Sequence, residues 1–223
     1  FEFPACDVCN GGTSDDDLIA AFLSYLSPDA NGEQLKKGQG LLYRVGQQRR
    51  QLLRDMFQLS VTERRQKARE VGWTPAAGQT YDDFPGVKLP REVHEAIRAF
   101  AGKLTKSLYW KETGKLFPAD GGILFHWFTN ANLMRDGRIA ALEGFIPFLP
   151  EDVVLRRNGK DLSHQLGMRV KVDDRTGLMV VMATFRQSFG FVTLGFVEPG
   201  AAARVLTSVK AETGRQSGPF ELI

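Results

Sequence analysis

Leu166-Gly167-Met168-Arg169-Val170-Lys171-Val172 decides the fold class, because apolar residues at 166, 168, 170 and 172 alternate with Gly167, Arg169 and Lys171. Successive side chains of a strand point to opposite faces, so a period of two predicts a strand buried on one side. Asp173-Asp174-Arg175-Thr176-Gly177 is turn material, and residues 178–185 form a nearly continuous apolar run expected inside the sheet. Residues 186–190 are expected to turn again and residues 191–197 to run back, giving an antiparallel meander. A helix over 201–211 should pack on it.

Working outward toward the N-terminus, residues 123–128 and 153–155 are short apolar runs that predict two further strands. Before them the period changes. Val93, Ile97, Phe100, Leu104 and Leu108 mark an amphipathic helix over 91–112, ended near Gly114. Gly, Pro and Asp are dense over 72–90, including Thr74-Pro75 and Asp82-Asp83-Phe84-Pro85-Gly86, which predicts a loop. The stretch 36–70 is expected to form one or two helices, with Leu41, Val45, Leu52, Met56 and Leu59 as buried positions. Ser14 with Asp17 three residues on has the form of a capping box for a helix through Leu18, Phe22, Tyr25 and Leu26, stopped at Ser27-Pro28.

Helices first and sheet second predict an α+β fold. The chain is expected to comprise an N-terminal zinc-knuckle-like loop and helix (1–30), a mostly helical region with the 72–90 loop (31–118), and an antiparallel sheet with a terminal helix (119–223).

The 223 residues are 43% hydrophobic, 10% aromatic and 25% charged, which excludes collagen, coiled-coil and disordered classes. No stretch approaches the roughly 20 apolar residues of a membrane span. Two cysteines cannot build a disulfide scaffold, and no signal-peptide pattern is present, so a cytoplasmic location without membrane contact is expected.

Charge is unevenly placed. The chain carries +3, but between positions 36 and 70 ten basic residues face only Asp55, Glu63 and Glu70. Lys36, Lys37, Arg44, Arg49, Arg50, Arg54, Arg64, Arg65, Lys67 and Arg69 therefore give this stretch +7, and the remainder sums to −4. A concentrated basic face suits a polyanion, because neutralising phosphates releases counterions. It is equally the composition of a solvated helix surface, since Arg and Lys are good helix formers.

Chemistry-bearing residues are few. Cys6-x-x-Cys9 has the spacing of half a four-ligand zinc site; a redox pair and two ordinary thiols in a turn are the other readings. Asp15, Asp16 and Asp17 suit either a divalent cation or the positive end of a helix. His94, beside Val93, is expected to face solvent, His126 to be hydrogen-bonded in the sheet, and His164 to lie in a loop. No G-x-S-x-G, Walker loop or H-E-x-x-H is present.

The run Phe3-Pro4-Ala5-Cys6-Asp7-Val8-Cys9-Asn10-Gly11-Gly12-Thr13-Ser14-Asp15-Asp16-Asp17 resembles the second half of an HNH endonuclease motif of one bacterial group. Residues 104–115, from Leu104 to Lys115, are similar to the helical segment that follows the nuclease core in that group. The resemblance implies metal-dependent hydrolysis of DNA. It implies that Cys6 and Cys9 are the second zinc pair and Asn10 the middle asparagine. It further implies that the acidic run supplies the helix residue, Asp15 or Asp17, that helps hold a cation such as Mg²⁺. The basic residues Arg44, Arg49, Arg50, Arg54, Arg64, Arg65, Lys67 and Arg69 would then hold the nucleic acid.

The strand histidine and first cysteine pair of such nucleases have no counterpart in these 223 residues. The chain is therefore expected to be a fragment or degenerate form, inactive alone, with an upstream segment or a second copy completing the site. The alternative is a non-catalytic module that binds nucleic acid or protein.

Overall fold

The helix from Arg91 to Thr113 buries Val93, Ala96, Ile97, Ala101, Thr105, Ser107, Leu108 and Tyr109, and it organises the molecule. The computed structural model describes residues 12, 14–26, 31–57, 59–84, 86–130, 149, 156–157, 160–162, 165–213 and 220–223. Among the described residues four helices come first: α1 (Ser14–Ser24), α2 (Gly32–Gln48), α3 (Arg50–Phe57) and α4 (Val61–Glu70). A 3-10 turn at Tyr81–Asp83 interrupts the 72–90 loop, and α5 (Arg91–Thr113) follows. Then come β1 (Gly122–Thr129), a small ribbon of β2 (Arg156–Arg157) and β3 (Lys160–Asp161), and the hairpins β4 (Leu166–Asp173), β5 (Leu178–Phe185) and β6 (Phe189–Phe196). Helix α6 (Ala201–Thr213) and the two-residue strand β7 (Glu221–Leu222) complete the described elements. The fold is α+β.

Helix α5 places Val93, Ile97, Ala101 and Leu108 in full burial, a face with near-helical repeat. Gly114 ends it in the left-handed region at φ 70°, its N–H donating to the Trp110 carbonyl, a backbone geometry that favours glycine. One side of α5 meets Leu18, Phe22 and Leu23 of α1 in a common core. The other lies on the sheet face formed by Phe125, Met168, Val170, Met179, Val181, Ala183, Phe189 and Phe191. At the centre of that contact the buried hydroxyls of Thr105 and Thr193 meet at 2.6 Å.

The main sheet has the order β4-β5-β6-β1-β7, and every neighbouring pair is antiparallel. β5 lies inside the sheet as its apolar run demanded, but β6 is the midpoint. It pairs along its whole length with β5 on one edge and with β1 on the other, from Gly122↔Phe196 to Thr129↔Phe189. The turn between β5 and β6 is shorter than 186–190. Arg186, at φ 53°, closes it within three residues, so Phe189 and Gly190 belong to the strand. Gly190 is there for space: a Cβ would stand 2.5 Å from Cζ of Phe128. On the opposite sheet face Phe128 and Val192 form a second, smaller core with Met182, Leu194 and Phe220.

Other expectations need adjustment. The 36–70 stretch makes three helices rather than one or two, with Val45, Leu52, Met56 and Leu59 buried. The helix through Leu18 ends at Ser24, before Ser27-Pro28, and Asp17 turns its carboxylate to Lys103 of α5. The terminal helix runs to Thr213. The zinc-knuckle loop with Cys6, Cys9 and Asn10, the strand at 153–155, and His164 lie outside the described residues. Among the described residues no helix is long and apolar enough to cross a membrane.

Candidate nucleic-acid interface

The basic stretch is built as three helices, the first two amphipathic and the third polar with only Ala68 buried. Asn31 caps α2 by accepting from the Gln34 N–H at 3.1 Å, while the Gln34 side chain accepts from the Asn31 N–H at 3.2 Å. Only Val45 of α2 is fully buried; Leu41 packs beside it. Arg49 breaks the helix, and α3 then buries Leu52 and Met56, one turn apart. Ser60 begins α4 with a second capping box, to Glu63. The carboxylate of Glu63 accepts from the Ser60 backbone N–H and hydroxyl, which holds it below the usual carboxylate range. Every Lys and Arg of α2, α3 and α4 is left on the outer side of this layer or at its rim.

The structure divides these cations into two groups. Those of α4 are engaged within the molecule. The Arg65 guanidinium donates to both carboxylate oxygens of Asp82, at 2.5 and 2.9 Å, and this hydrogen bonding depresses the Asp82 carboxyl. Arg64 donates to the Asp82 carbonyl at 3.2 Å. Lys67 pairs with Glu70 at 2.8 Å, and Arg69 lies 5.8 Å from the Tyr81 ring centre. The contacts of Arg64, Arg65 and Arg69 with Asp82 and Tyr81 pin the 72–90 loop to α4.

The cations of α2 and α3 are arranged differently. Lys37 pairs with Glu33 and Arg49 with Asp15. Among the described residues, Lys36, Arg44, Arg50 and Arg54 have no ion-pair or hydrogen-bond partner, and all four are exposed. The nearby acid Asp55 accepts from the Gln51 amide at 2.8 Å. Four cations therefore project into solvent with their charge uncompensated by a contact.

The acidic run sits where α1 crosses α5. Asp15 accepts from Arg49 at 2.9 Å, and Asp17 from the Lys103 ammonium at 2.6 Å. The remaining Asp17 oxygen, Oδ1, is buried without a partner. Burial raises the Asp16 carboxyl above its ordinary value; Arg49 opposes that rise, and the charges of Asp17 and Asp15 add to it. As placed, Asp15 and Asp17 are counter-charges for two cations, and a magnesium ion would have to compete with both. Among the described residues no three His, Cys, Asp or Glu side chains gather as a metal site.

One polar constellation went unread in the sequence. His94 is half-buried and bonded through both ring nitrogens rather than simply facing solvent. Its Nδ1 accepts from the Trp127 indole N–H at 2.8 Å, and its Nε2 lies 3.0 Å from Glu221 of β7. Because an indole N–H can only donate, Nδ1 is the acceptor and Nε2 carries the proton directed at the carboxylate. Arg98, one turn along α5, donates to the Leu222 carbonyl at 3.0 Å. Together they fasten β7 to the sheet edge. The spacing of four between His94 and Arg98 was a visible signal, but Glu221 is 127 residues away. His126 lies in β1 as expected, its ring 5.7 Å from that of Phe220.

The chain matches no family model, no curated protein and no solved structure.

Proposed function

We propose that this chain binds nucleic acid through the exposed face of α2 and α3, as a non-catalytic module, the alternative to the nuclease that its likeness to HNH endonucleases implies. The observation that carries the reading is the set of four uncompensated cations, Lys36, Arg44, Arg50 and Arg54, on adjacent helices. An exposed cation that spends no energy on an internal partner is available to a phosphate, and releasing condensed counterions supplies the affinity. The α4 cations contribute less in this reading, because Arg65 would have to give up a bidentate carboxylate. Phosphate contacts of this type position a strand without reading its sequence.

The same reading assigns Asp15 and Asp17 to holding α1 against Arg49 and Lys103 rather than to a metal. Hydrolysis of a phosphodiester needs an activated water and a cation on the scissile phosphate within about 3 Å of each other. Asp15 and Asp17, which the family resemblance drew into that chemistry, are thereby given a structural role.

The test is fluorescence anisotropy with a labelled oligonucleotide at low salt, comparing the wild type with the triple variant Arg44→Glu, Arg50→Glu, Arg54→Glu. Since these side chains bury nothing, circular dichroism should be unchanged while affinity falls by at least about a hundredfold, at ~1 kcal/mol or more per reversed contact. Equal affinity for the two proteins would remove the α2–α3 face from consideration.

A further inference from the structure

Resting on the reading of α2 and α3 as a nucleic-acid face, we infer that its ligand is single-stranded, held by base stacking on Tyr43 and Phe57 as well as by phosphate contacts. Two observations on different helices carry this. On α2, Lys36, Gly40 and Tyr43 are separated by four and three residues and so share one face. Tyr43 is 69% exposed, and nothing lies within 4 Å of where a Gly40 side chain would begin. A cation and an aromatic ring thus flank a flat gap, bare of side chains, along about two turns of helix.

On α3 the pattern recurs. Arg50, Arg54 and Phe57 share a face at the same spacing, and Phe57 is 46% exposed. In each case a cation without a partner precedes an exposed ring by seven residues. Single exposed rings are ordinary on a protein surface; what sets these two apart is that each shares its helix face with an uncompensated cation, the pairing that phosphate contact and base stacking together require.

Ring and cation together discriminate between polyanions. A duplex keeps its base faces stacked inside and offers only edges and phosphates, so an exposed ring gains little from it. An unpaired strand offers both phosphates and base planes, and every base has a face that an aromatic ring can stack on. Leu35 and Leu42 are also exposed on α2, which is the feature a protein partner would use. The charge decides against it. Of the two acids beside this face, Glu33 is paired with Lys37 and Asp55 accepts from the neutral Gln51 amide, so one carboxylate stands against the four cations and the face keeps a net positive charge that suits a polyanion.

The experiment uses the full chain with fluorescein-labelled dT20 and a 20-base-pair duplex, at one salt concentration. The wild type should bind dT20 more tightly than the duplex. Tyr43→Ala with Phe57→Ala should weaken dT20 binding by about tenfold or more per ring and leave duplex binding unchanged. Tyr43→Phe, which keeps the ring, should retain dT20 affinity. Circular dichroism guards against misfolding.

If the double alanine variant binds dT20 as the wild type does, while charge reversal at Arg44, Arg50 and Arg54 still abolishes binding, the stacking inference fails and the phosphate-binding reading stands. If neither oligonucleotide binds, or charge reversal has no effect, both fail. A concentration-dependent dimer that Tyr43→Ala dissolves would overturn the inference in favour of a protein-docking face.

Discussion

Replacing Thr105 by valine is expected to destabilise the molecule more than replacing Thr193, although both side chains are fully buried and face each other between α5 and β6. The asymmetry lies in where the hydrogens go. The Thr105 hydroxyl donates to the Ala101 carbonyl at 2.8 Å, so the hydrogen in the 2.6 Å contact belongs to Thr193. Thr193→Val deletes that donor and leaves Thr105 still bonded to its own helix. The loss is one hydrogen bond, about 0.5–1.5 kcal/mol net. Thr105→Val instead strands the Thr193 hydroxyl in an apolar interior with no acceptor, which costs about 1–3 kcal/mol.

The double variant presents two valines of nearly the same shape and no polar atom, so it should be more stable than Thr105→Val alone. That non-additivity is the signature of the contact. Urea unfolding followed by circular dichroism reads the free energies, and melting temperatures should move by about 2–4 °C per kcal/mol for a chain of this length. Strict additivity, or a larger loss for Thr193→Val, would show that the hydrogen does not run from β6 to α5.

Arg186 holds a left-handed turn while its guanidinium lies 4.0 Å from the Tyr25 ring centre and donates to the Tyr25 hydroxyl at 2.7 Å. Arg186→Ala should cost about 1–2 kcal/mol in urea unfolding, and Arg186→Gly about 1 kcal/mol less, because glycine relieves the backbone. Burial holds the folded Asp16 carboxyl above its unfolded value of 3.8, so the stability it contributes is present in acid and lost as pH rises through the folded value. Asp16→Asn should therefore raise the melting temperature near pH 7 and have no effect near pH 3; a gain of equal size at both would refute the cause. His94→Phe keeps the ring against Phe125 but leaves the Trp127 N–H without an acceptor. It should cost about 1–3 kcal/mol and shift tryptophan emission, and unchanged emission would contradict the bond.

The sheet was legible because its signal is local. Alternation over 166–172 and the turn at 173–177 lie within each hairpin, and the register follows from them. The neighbours of β1 were not legible, since Ile123 pairs with Gly195 and Leu124 with Leu222 across long separations that leave no pattern in either segment. Gly190 looked like turn chemistry when its role is to admit the Phe128 ring. Among the basic residues, charge and exposure followed from composition, but the division into engaged and uncompensated cations did not. Arg65 finds its carboxylate 17 residues away, in a loop whose path no periodicity describes. Arg49 finds Asp15 at a separation of 34. Tyr43 and Phe57 stood in plain view in helical register, and only their exposure distinguishes a stacking surface from a core stripe.

The most direct test of the account is the salt dependence of single-strand affinity, measured by anisotropy with dT20 over a tenfold range of salt. If Lys36, Arg44, Arg50 and Arg54 each neutralise one phosphate, a plot of log affinity against log salt should have a slope of about −3. With R44E, R50E and R54E combined, the slope should be shallower than about −1. A wild-type slope near zero, or a slope near −3 that survives the three substitutions, would contradict the assignment of nucleic-acid binding to α2 and α3.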